Sequence, residues 1–110
     1  MIEDRIRKIE ARIHGTEKLP AETKEELLSL LESLKKEIAE LAESHGEDAD
    51  SVTRFTEASA HEATRSEQKP QLLEAAIEGL NASVEEFEVT HPKLADTINR
   101  IAMILSNMGM

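Results

Sequence analysis

Closely spaced glutamates in the first half of the chain are the residues best suited to metal chemistry. Glu37, Glu40 and Glu43 form overlapping Glu-x-x-Glu pairs, and helical nucleotide pyrophosphohydrolases hold Mg²⁺ with such pairs on two facing helices. A Glu-x-x-Asp pair exists only as Glu47 with Asp50, which lies too near in sequence to come from a separate facing helix. A charged, solvated helix face therefore explains the three glutamates better, and a metal-dependent hydrolase that uses them is the less favoured alternative.

Histidines that lie three or four residues after a glutamate are a second candidate for metal binding. Glu88 and His91 have the Glu-x-x-His spacing of di-iron bundles, but those bundles need two such motifs and further glutamates that point inward. The pairs Glu10–His14 and Glu57–His61 are more typical of ion pairs on a helix surface. We therefore expect no metal site and no cofactor.

Other catalytic signatures are missing from the sequence. The chain has no cysteine, and its four glycines stand alone rather than in a phosphate-binding loop. The serines and threonines belong to no local nucleophile motif. These observations predict that the protein is not an enzyme.

The charge of the chain argues against nucleic-acid binding. The 110 residues include 13 basic and 23 acidic side chains, a formal net charge of −10, and only two aromatic residues, both phenylalanine. A surface of this sign repels a phosphate backbone, and nucleic-acid bases would find almost no aromatic side chains on which to stack. We therefore expect no nucleic-acid partner.

Residues 70–91 contain five glutamates and neither lysine nor arginine. These glutamates are Glu74, Glu78, Glu85, Glu86 and Glu88. Such a stretch commonly serves only to keep a protein soluble, but it also defines a candidate face for a basic protein partner.

Apolar residues recur at helical spacing and predict the elements that carry these side chains. Four stripes with steps of three and four residues run through Ile2–Ile13, Leu27–Leu41, Leu73–Phe87 and Leu94–Met108, and a fainter one lies in residues 52–55. This spacing is typical of α-helices with one buried face. The predicted fold class is all-α: a helical bundle of two antiparallel helical hairpins joined by a weaker middle helix, with coiled-coil-like packing.

Glycine, proline and polar residues divide this single helical domain into three parts. We predict an N-terminal helical hairpin over residues 1–46, a weakly anchored connecting segment over 47–69 that starts with a polar hinge, and a C-terminal hairpin over 70–110. Each of the three prolines suits the first turn of a helix, where a missing N–H costs nothing. The fourth helix is expected to run to about Val89.

Two helices have more apolar residues than one packed face requires. The second helix has additional leucines beside its stripe, and the fifth helix has five consecutive apolar residues at 101–105. The candidate residues of a homodimer interface are Leu28, Leu30, Ile101, Ile104, Leu105 and Met108. Met103, Met108 and Met110 are expected to fill the core, with an adaptable docking surface as the alternative.

The C-terminal third of the chain resembles a known family. Residues 87–94 have the sequence Phe-Glu-Val-Thr-His-Pro-Lys-Leu, and Asn107-Met108-Gly109 follows near the end. This pattern resembles an uncharacterised bacterial family of short, acidic, helical proteins with a Phe-Glu-x-Ser/Thr-His-Pro-x-Leu stretch and an Asn-x-Gly C-terminus. The resemblance implies an N-terminal hairpin over Ile2–Leu41, with residues 72–110 matching the rest. It implies no catalytic or binding residue, because the family has no established activity.

The sequence does not specify a biological role, but it favours a non-enzymatic structural or interaction protein. The first hypothesis is a self-associating helical bundle, most simply a homodimer. The alternative is an acidic module that binds a basic protein partner. The sequence has neither an apolar segment of membrane-spanning length nor a signal-like N-terminus. We therefore expect a cytoplasmic protein that does not associate with membranes.

Overall fold

Five α-helices account for most of residues 2–109, the part of the chain that the computed structural model describes. They are α1 (Ile2–Gly15), α2 (Ala21–Ser44), α3 (Gly46–Thr64), α4 (Pro70–Ala82) and α5 (Pro92–Asn107). A 3₁₀ turn at Glu85–Phe87 lies between α4 and α5, and residues 2–109 contain no β-strand. The prediction of an all-α bundle is confirmed. None of the helices between residues 2 and 109 combines the length and hydropathy needed to cross a lipid bilayer.

The predicted apolar stripes form the core of this bundle. The largest fully buried side chains are Ile6, Ile13, Leu27, Leu31, Leu34, Ile38, Leu41, Leu80, Leu94, Ile98, Ile101 and Leu105. All of them are aliphatic, and full burial of each such side chain is worth about 1.5–3 kcal/mol. The helices of each predicted hairpin, α1 with α2 and α4 with α5, contact each other.

The middle helix is packed more extensively than its sequence predicts. α3 contacts all four other helices, and it does so with small side chains such as Ala49 and Ala60, which are fully buried. The buried hydroxyls of Thr53 and Thr56 donate hydrogen bonds of 2.9 and 2.8 Å to helical carbonyls one turn earlier. Small residues let neighbouring helices approach closely, so a segment with few large apolar side chains can still be central to the packing.

The junction between α2 and α3 is shorter than the predicted polar hinge. A single residue, His45, closes α2 by donating its backbone N–H to the Leu41 carbonyl at 2.7 Å. The His45 carbonyl then accepts from the Ala49 N–H at 2.9 Å and so opens α3. Residues 47–51, expected to form a hinge, are therefore helical, and Gly46 is the first residue of α3.

The fourth helix ends earlier than the expected position near Val89. α4 stops at Ala82, and the Ser83 hydroxyl donates a 2.6 Å hydrogen bond to the Leu80 carbonyl. Serine often ends or bends a helix in this way because its side chain competes for backbone groups. The chain then turns so that Phe87 is buried, whereas Val89 is 90% exposed.

Gly79 marks a close approach of α4 to α3. A Cβ atom at this position would lie only 2.5 Å from Cδ1 of Phe55. The absence of a side chain therefore lets the aromatic ring of α3 lie directly on the backbone of α4.

Candidate functional site

Glu37 has the most unusual environment of the described side chains. Its side chain is only 9% exposed, and neither carboxylate oxygen has a hydrogen-bond partner. Buried carboxylates are normally hydrogen-bonded or paired, because removal from water strongly disfavours a bare charge. An unsatisfied carboxylate of this kind therefore requires an explanation.

Glu37 lines an open groove of about 370 Å³ between the second half of α2 and the start of α5. We refer to it as the Glu37 groove. Its lining residues are Ser33, Lys36, Glu37 and Glu40 from α2, and Thr90, His91, Pro92, Lys93 and Leu94 from the approach to α5 and its first turn. A groove of this volume is within the usual size range of small-ligand clefts.

The charges around Glu37 do not compensate for its burial. Burial raises the pKa of Glu37 above its ordinary value, and Glu40 and Asp96 act in the same direction by charge repulsion. The Thr97 hydroxyl and the Lys93 ammonium lower this pKa, but the Thr97 contact does not meet hydrogen-bond geometry. Lys93 Nζ lies 4.0 Å from Glu37 Oε2 and its side chain is 83% exposed, so this ion pair is weak and loosely held.

The three glutamates of the hydrolase alternative have different environments. Glu37 is buried, whereas Glu40 and Glu43 are exposed on α2. Asp50, from the Glu-x-x-Asp pair, binds Arg54 at 2.7 Å and Arg5 at 3.5 Å instead. Within residues 2–109, no three His, Cys, Asp or Glu side chains come together in an arrangement that would hold a metal ion.

His91 belongs to an aromatic cluster at the helix junctions. The rings of His45 and His91 both pack edge-on against Phe87, at centroid distances of 5.4 and 5.5 Å. Both histidines have nearly the same backbone conformation, with φ of −135° and ψ of 61° and 63°. Glu88 is exposed, and Nδ1 of His91 lies 3.0 Å from the Thr90 hydroxyl. The Glu-x-x-His spacing thus belongs to a packed turn.

The other predicted Glu–His pairs lie on the surface of the bundle. His14 is exposed at the end of α1. His61 is 3.8 Å from Glu62 rather than paired with Glu57. Neither arrangement forms a ligand set.

The five glutamates of the predicted acidic face are all exposed. Glu74 and Glu78 lie one helical turn apart on α4, whereas Glu85 and Glu86 lie in the 3₁₀ turn and Glu88 in the turn after it. In the described part of the chain, neither Glu74 nor Glu78 forms an ion pair. These two glutamates therefore present unopposed negative charge.

Glu74 and Glu78 border a second groove, which lies between α4 and α5. It consists of two hollows of about 360 and 350 Å³ that share Ile77 and Ser106. The first is lined also by Pro70, Leu73, Glu74, Glu78 and Gly109, and the second by Asn81, Asn99, Ala102 and Met103. We refer to the two hollows together as the α4–α5 groove.

The residues predicted for a homodimer interface divide into two groups. Ile101 and Leu105 are buried in the core of the single chain, so the chain's own helices already cover them. Leu28, Leu30, Ile104 and Met108 are half-buried and pack against that core. Only this second group leaves apolar surface on the outside of the bundle.

The methionines do not all occupy the core as expected. Met103 is 64% exposed in the α4–α5 groove, and Met108 is half-buried. Met110 lies outside the described residues. The exposed position of Met103 favours the alternative of an adaptable surface.

The burial of Glu37 has a signal in the sequence that is independent of the metal-binding motifs. Glu37 lies three residues after Leu34 and four before Leu41. Residues at these separations share one face of a helix, so Glu37 lies on the same face of α2 as two core leucines. A charged residue flanked in this way is a candidate for burial.

Comparison with known protein families gives a match over the second half of the chain. Residues 56–110, half of the chain, match a family described as a domain of unknown function, DUF4404. No curated protein and no solved structure matches the chain. The match contains α4 and α5 entirely, and therefore the α4–α5 groove, but it does not reach Glu37 or the N-terminal helices. It confirms the predicted relation to a family without known function.

Proposed function

The chain belongs to the DUF4404 family, and from the geometry of its α4–α5 groove we propose that it is a non-enzymatic module that binds a basic protein partner. The observation that supports this most strongly is a partly apolar groove bordered by two unpaired glutamates, Glu74 and Glu78. The expected ligand is an amphipathic helix with lysine or arginine beside its apolar face.

The apolar part of the groove suits the side chains of such a helix. Leu73 and Ala102 are nearly buried and Ile77 is half-buried, whereas Met103 projects with 64% exposure. Amphipathic helices commonly bind by placing apolar anchors in a groove of this kind. A flexible methionine at the groove can repack around anchors of different shape.

The charges of the groove favour a basic ligand over a second copy of the chain. Glu74 and Glu78 are one turn apart, and residues 70–91 contain no lysine or arginine. A basic helix would pair with these carboxylates and be attracted by the formal net charge of −10. Two copies of the chain would instead bring equal negative charges together.

A labelled helical peptide of leucine and lysine at i, i+3, i+4 spacing tests the proposal by fluorescence anisotropy. Replacing both groove glutamates, Glu74→Gln with Glu78→Gln, removes two exposed ion pairs worth about 0.5–1 kcal/mol each. We therefore expect Kd to rise about tenfold. The difference should shrink as added salt shortens the Debye length from about 10 Å at 0.1 M to about 3 Å at 1 M.

A matched control separates the groove from general charge attraction. The variant with Glu25→Gln and Glu26→Gln removes the same charge from exposed positions on α2, and its affinity should remain near that of the wild type. A scrambled peptide of the same composition should bind more weakly. Equal weakening by the two glutamine pairs would contradict a specific site at α4–α5.

A homodimer is the second candidate function. It is supported by the exposure of two large apolar side chains, Met103 at 64% and Leu72 at 50%, and by half-buried Ile104 on α5. Light scattering after size exclusion distinguishes the 12.3 kDa monomer from a dimer of twice that mass. If a dimer is found, Ile104→Glu should convert it to a monomer, and a mutant that stays dimeric would place the interface elsewhere. A cytoplasmic location stays a prediction from sequence.

A further inference from the structure

The Glu37 groove is separate from the α4–α5 groove and does not depend on the function proposed for it. Its defining feature is a carboxylate side chain that is only 9% exposed. Both oxygens lack a hydrogen-bond partner, although the residue lines an open groove. Both oxygens are themselves almost completely shielded from solvent, so a ligand in the groove could supply the missing donors only after neighbouring side chains such as Lys93 move aside.

We propose that the Glu37 groove binds a primary alkylammonium group, with the Glu37 carboxylate as its anionic partner. A primary ammonium has three N–H donors, which suits a carboxylate with two unsatisfied oxygens. Ser33 and Thr90 also line the groove, and a hydroxyl can act as a further acceptor for an ammonium N–H. Pro92 and Leu94 provide apolar surface for the alkyl part.

Other cations fit the groove less well. A divalent metal ion needs several oxygen ligands in close geometry, and no such cluster exists among residues 2–109. A quaternary ammonium has no N–H donor and is usually recognised by a cage of aromatic rings. His91 is the only aromatic side chain in the lining of the Glu37 groove.

The charged groups facing Glu37 allow this exchange of partners. Lys93 is 4.0 Å away with an 83% exposed side chain, so it can move into solvent when a ligand ammonium arrives. Glu40 on α2 and Asp96 on α5 add negative charge near Glu37. Lys36 also lines the groove but is exposed, so its charge is largely screened by solvent.

Amide chemical-shift titration by NMR tests the proposal, with n-butylammonium chloride as the probe. We expect saturable shifts at Glu37 and at residues 90–94, with binding in the millimolar range that is typical of a small monovalent fragment. Butyltrimethylammonium chloride has the same charge but no N–H donor, so it should bind about tenfold more weakly. Sodium chloride at equal concentration controls for ionic strength.

Two variants locate the effect. Glu37→Gln should abolish the saturable shifts, whereas Glu43→Gln, an exposed position on the same helix, should retain them. If Glu37→Gln does not fold, a measurement on the wild-type protein still tests the proposal. Ammonium binding should lower the apparent pKa of the Glu37 carboxyl group, which is followed through the chemical shift of its carboxyl carbon. At the same concentration, the trimethyl analogue should lower that pKa less, because it binds more weakly.

An additional probe distinguishes two sources of the same chemical group. Nα-acetyl-lysine methylamide carries a primary ammonium attached to a peptide unit, and tighter binding than butylammonium would assign the groove to a lysine side chain. Weaker binding of Nα-acetyl-lysine methylamide than of butylammonium would assign the Glu37 groove to a free amine. Equal shifts with the primary and trimethyl ammonium probes, saturable binding by Glu37→Gln, or no saturable shift in the wild type would each overturn the proposal.

Discussion

Replacing Glu37 by methionine should stabilise the protein at neutral pH. The side chain is 9% exposed and both carboxylate oxygens lack hydrogen-bond partners. An unsatisfied buried polar group costs about 1–3 kcal/mol, and a charged one costs more. The exposed Lys93 pair compensates for less than about 1 kcal/mol of this. Methionine has a similar length and helix propensity, so we expect a gain of about 2 kcal/mol in the free energy of unfolding.

The stability gained by Glu37→Met should increase as pH rises. Burial raises the pKa of Glu37 above the ordinary value of 4.5, so the unfolded chain loses this proton at lower pH than the folded protein. The contribution of Glu37 to wild-type stability is therefore fully present below the ordinary value and is lost as pH rises through the raised pKa. The advantage of Glu37→Met should be small in acid, grow through this interval and then level off.

Urea unfolding followed by far-UV circular dichroism measures the effect, since the chain has no Trp or Tyr. A gain of about 2 kcal/mol corresponds to an increase of about 8 °C in Tm for a domain of this size. The control Glu40→Met removes an exposed neighbouring carboxylate and should change stability by less than about 0.5 kcal/mol. A destabilised Glu37→Met variant, or a gain that is independent of pH, would refute the reasoning.

Three further predictions concern the packing of the bundle. Gly79→Ala places a Cβ 2.5 Å from Cδ1 of Phe55, so overpacking should outweigh the gain of about 1 kcal/mol in helix propensity and give a net loss of about 1 kcal/mol by urea unfolding. In a Phe55→Ala background the same change should become stabilising, and stabilisation in both backgrounds would contradict the close approach of α3 and α4. Leu31→Ala at a fully buried site of α2 should cost about 3 kcal/mol in the same assay, and a loss below about 1 kcal/mol would argue against its core position. Met103→Ala in the α4–α5 groove should leave stability within about 0.5 kcal/mol, because 64% of the residue is exposed, but should weaken peptide binding; a stability loss like that of Leu31→Ala would show a core role instead.

The fold class could be predicted from the sequence because helical periodicity is a local property. Stripes such as Leu27–Leu41 determine which face of a helix is apolar, whatever that helix later contacts. The first and last residues of each helix were less predictable, because they depend on single hydrogen bonds. His45 ends one helix and opens the next, and Ser83 follows the end of α4 with a side-chain bond to the Leu80 carbonyl.

The central position of α3 could not be predicted from hydrophobicity. Its buried face consists largely of small residues, including Ala49, Thr53 and Ser59, which have little hydrophobic surface of their own. Small side chains become buried only when neighbouring helices approach closely from several sides. That approach is a property of the assembled bundle.

The sequence by itself determined the helical periodicity, the negative charge and the absence of cysteine chemistry, because these depend only on residue types and their spacing. Only the tertiary structure decided which charged side chains are buried and which apolar side chains stay exposed to solvent. Glu37 and Glu40 are three positions apart on one helix, yet the first is buried and the second is exposed, because α2 packs against α5. The physical reason is that desolvation depends on the atoms that surround a group, and most of these come from distant parts of the chain.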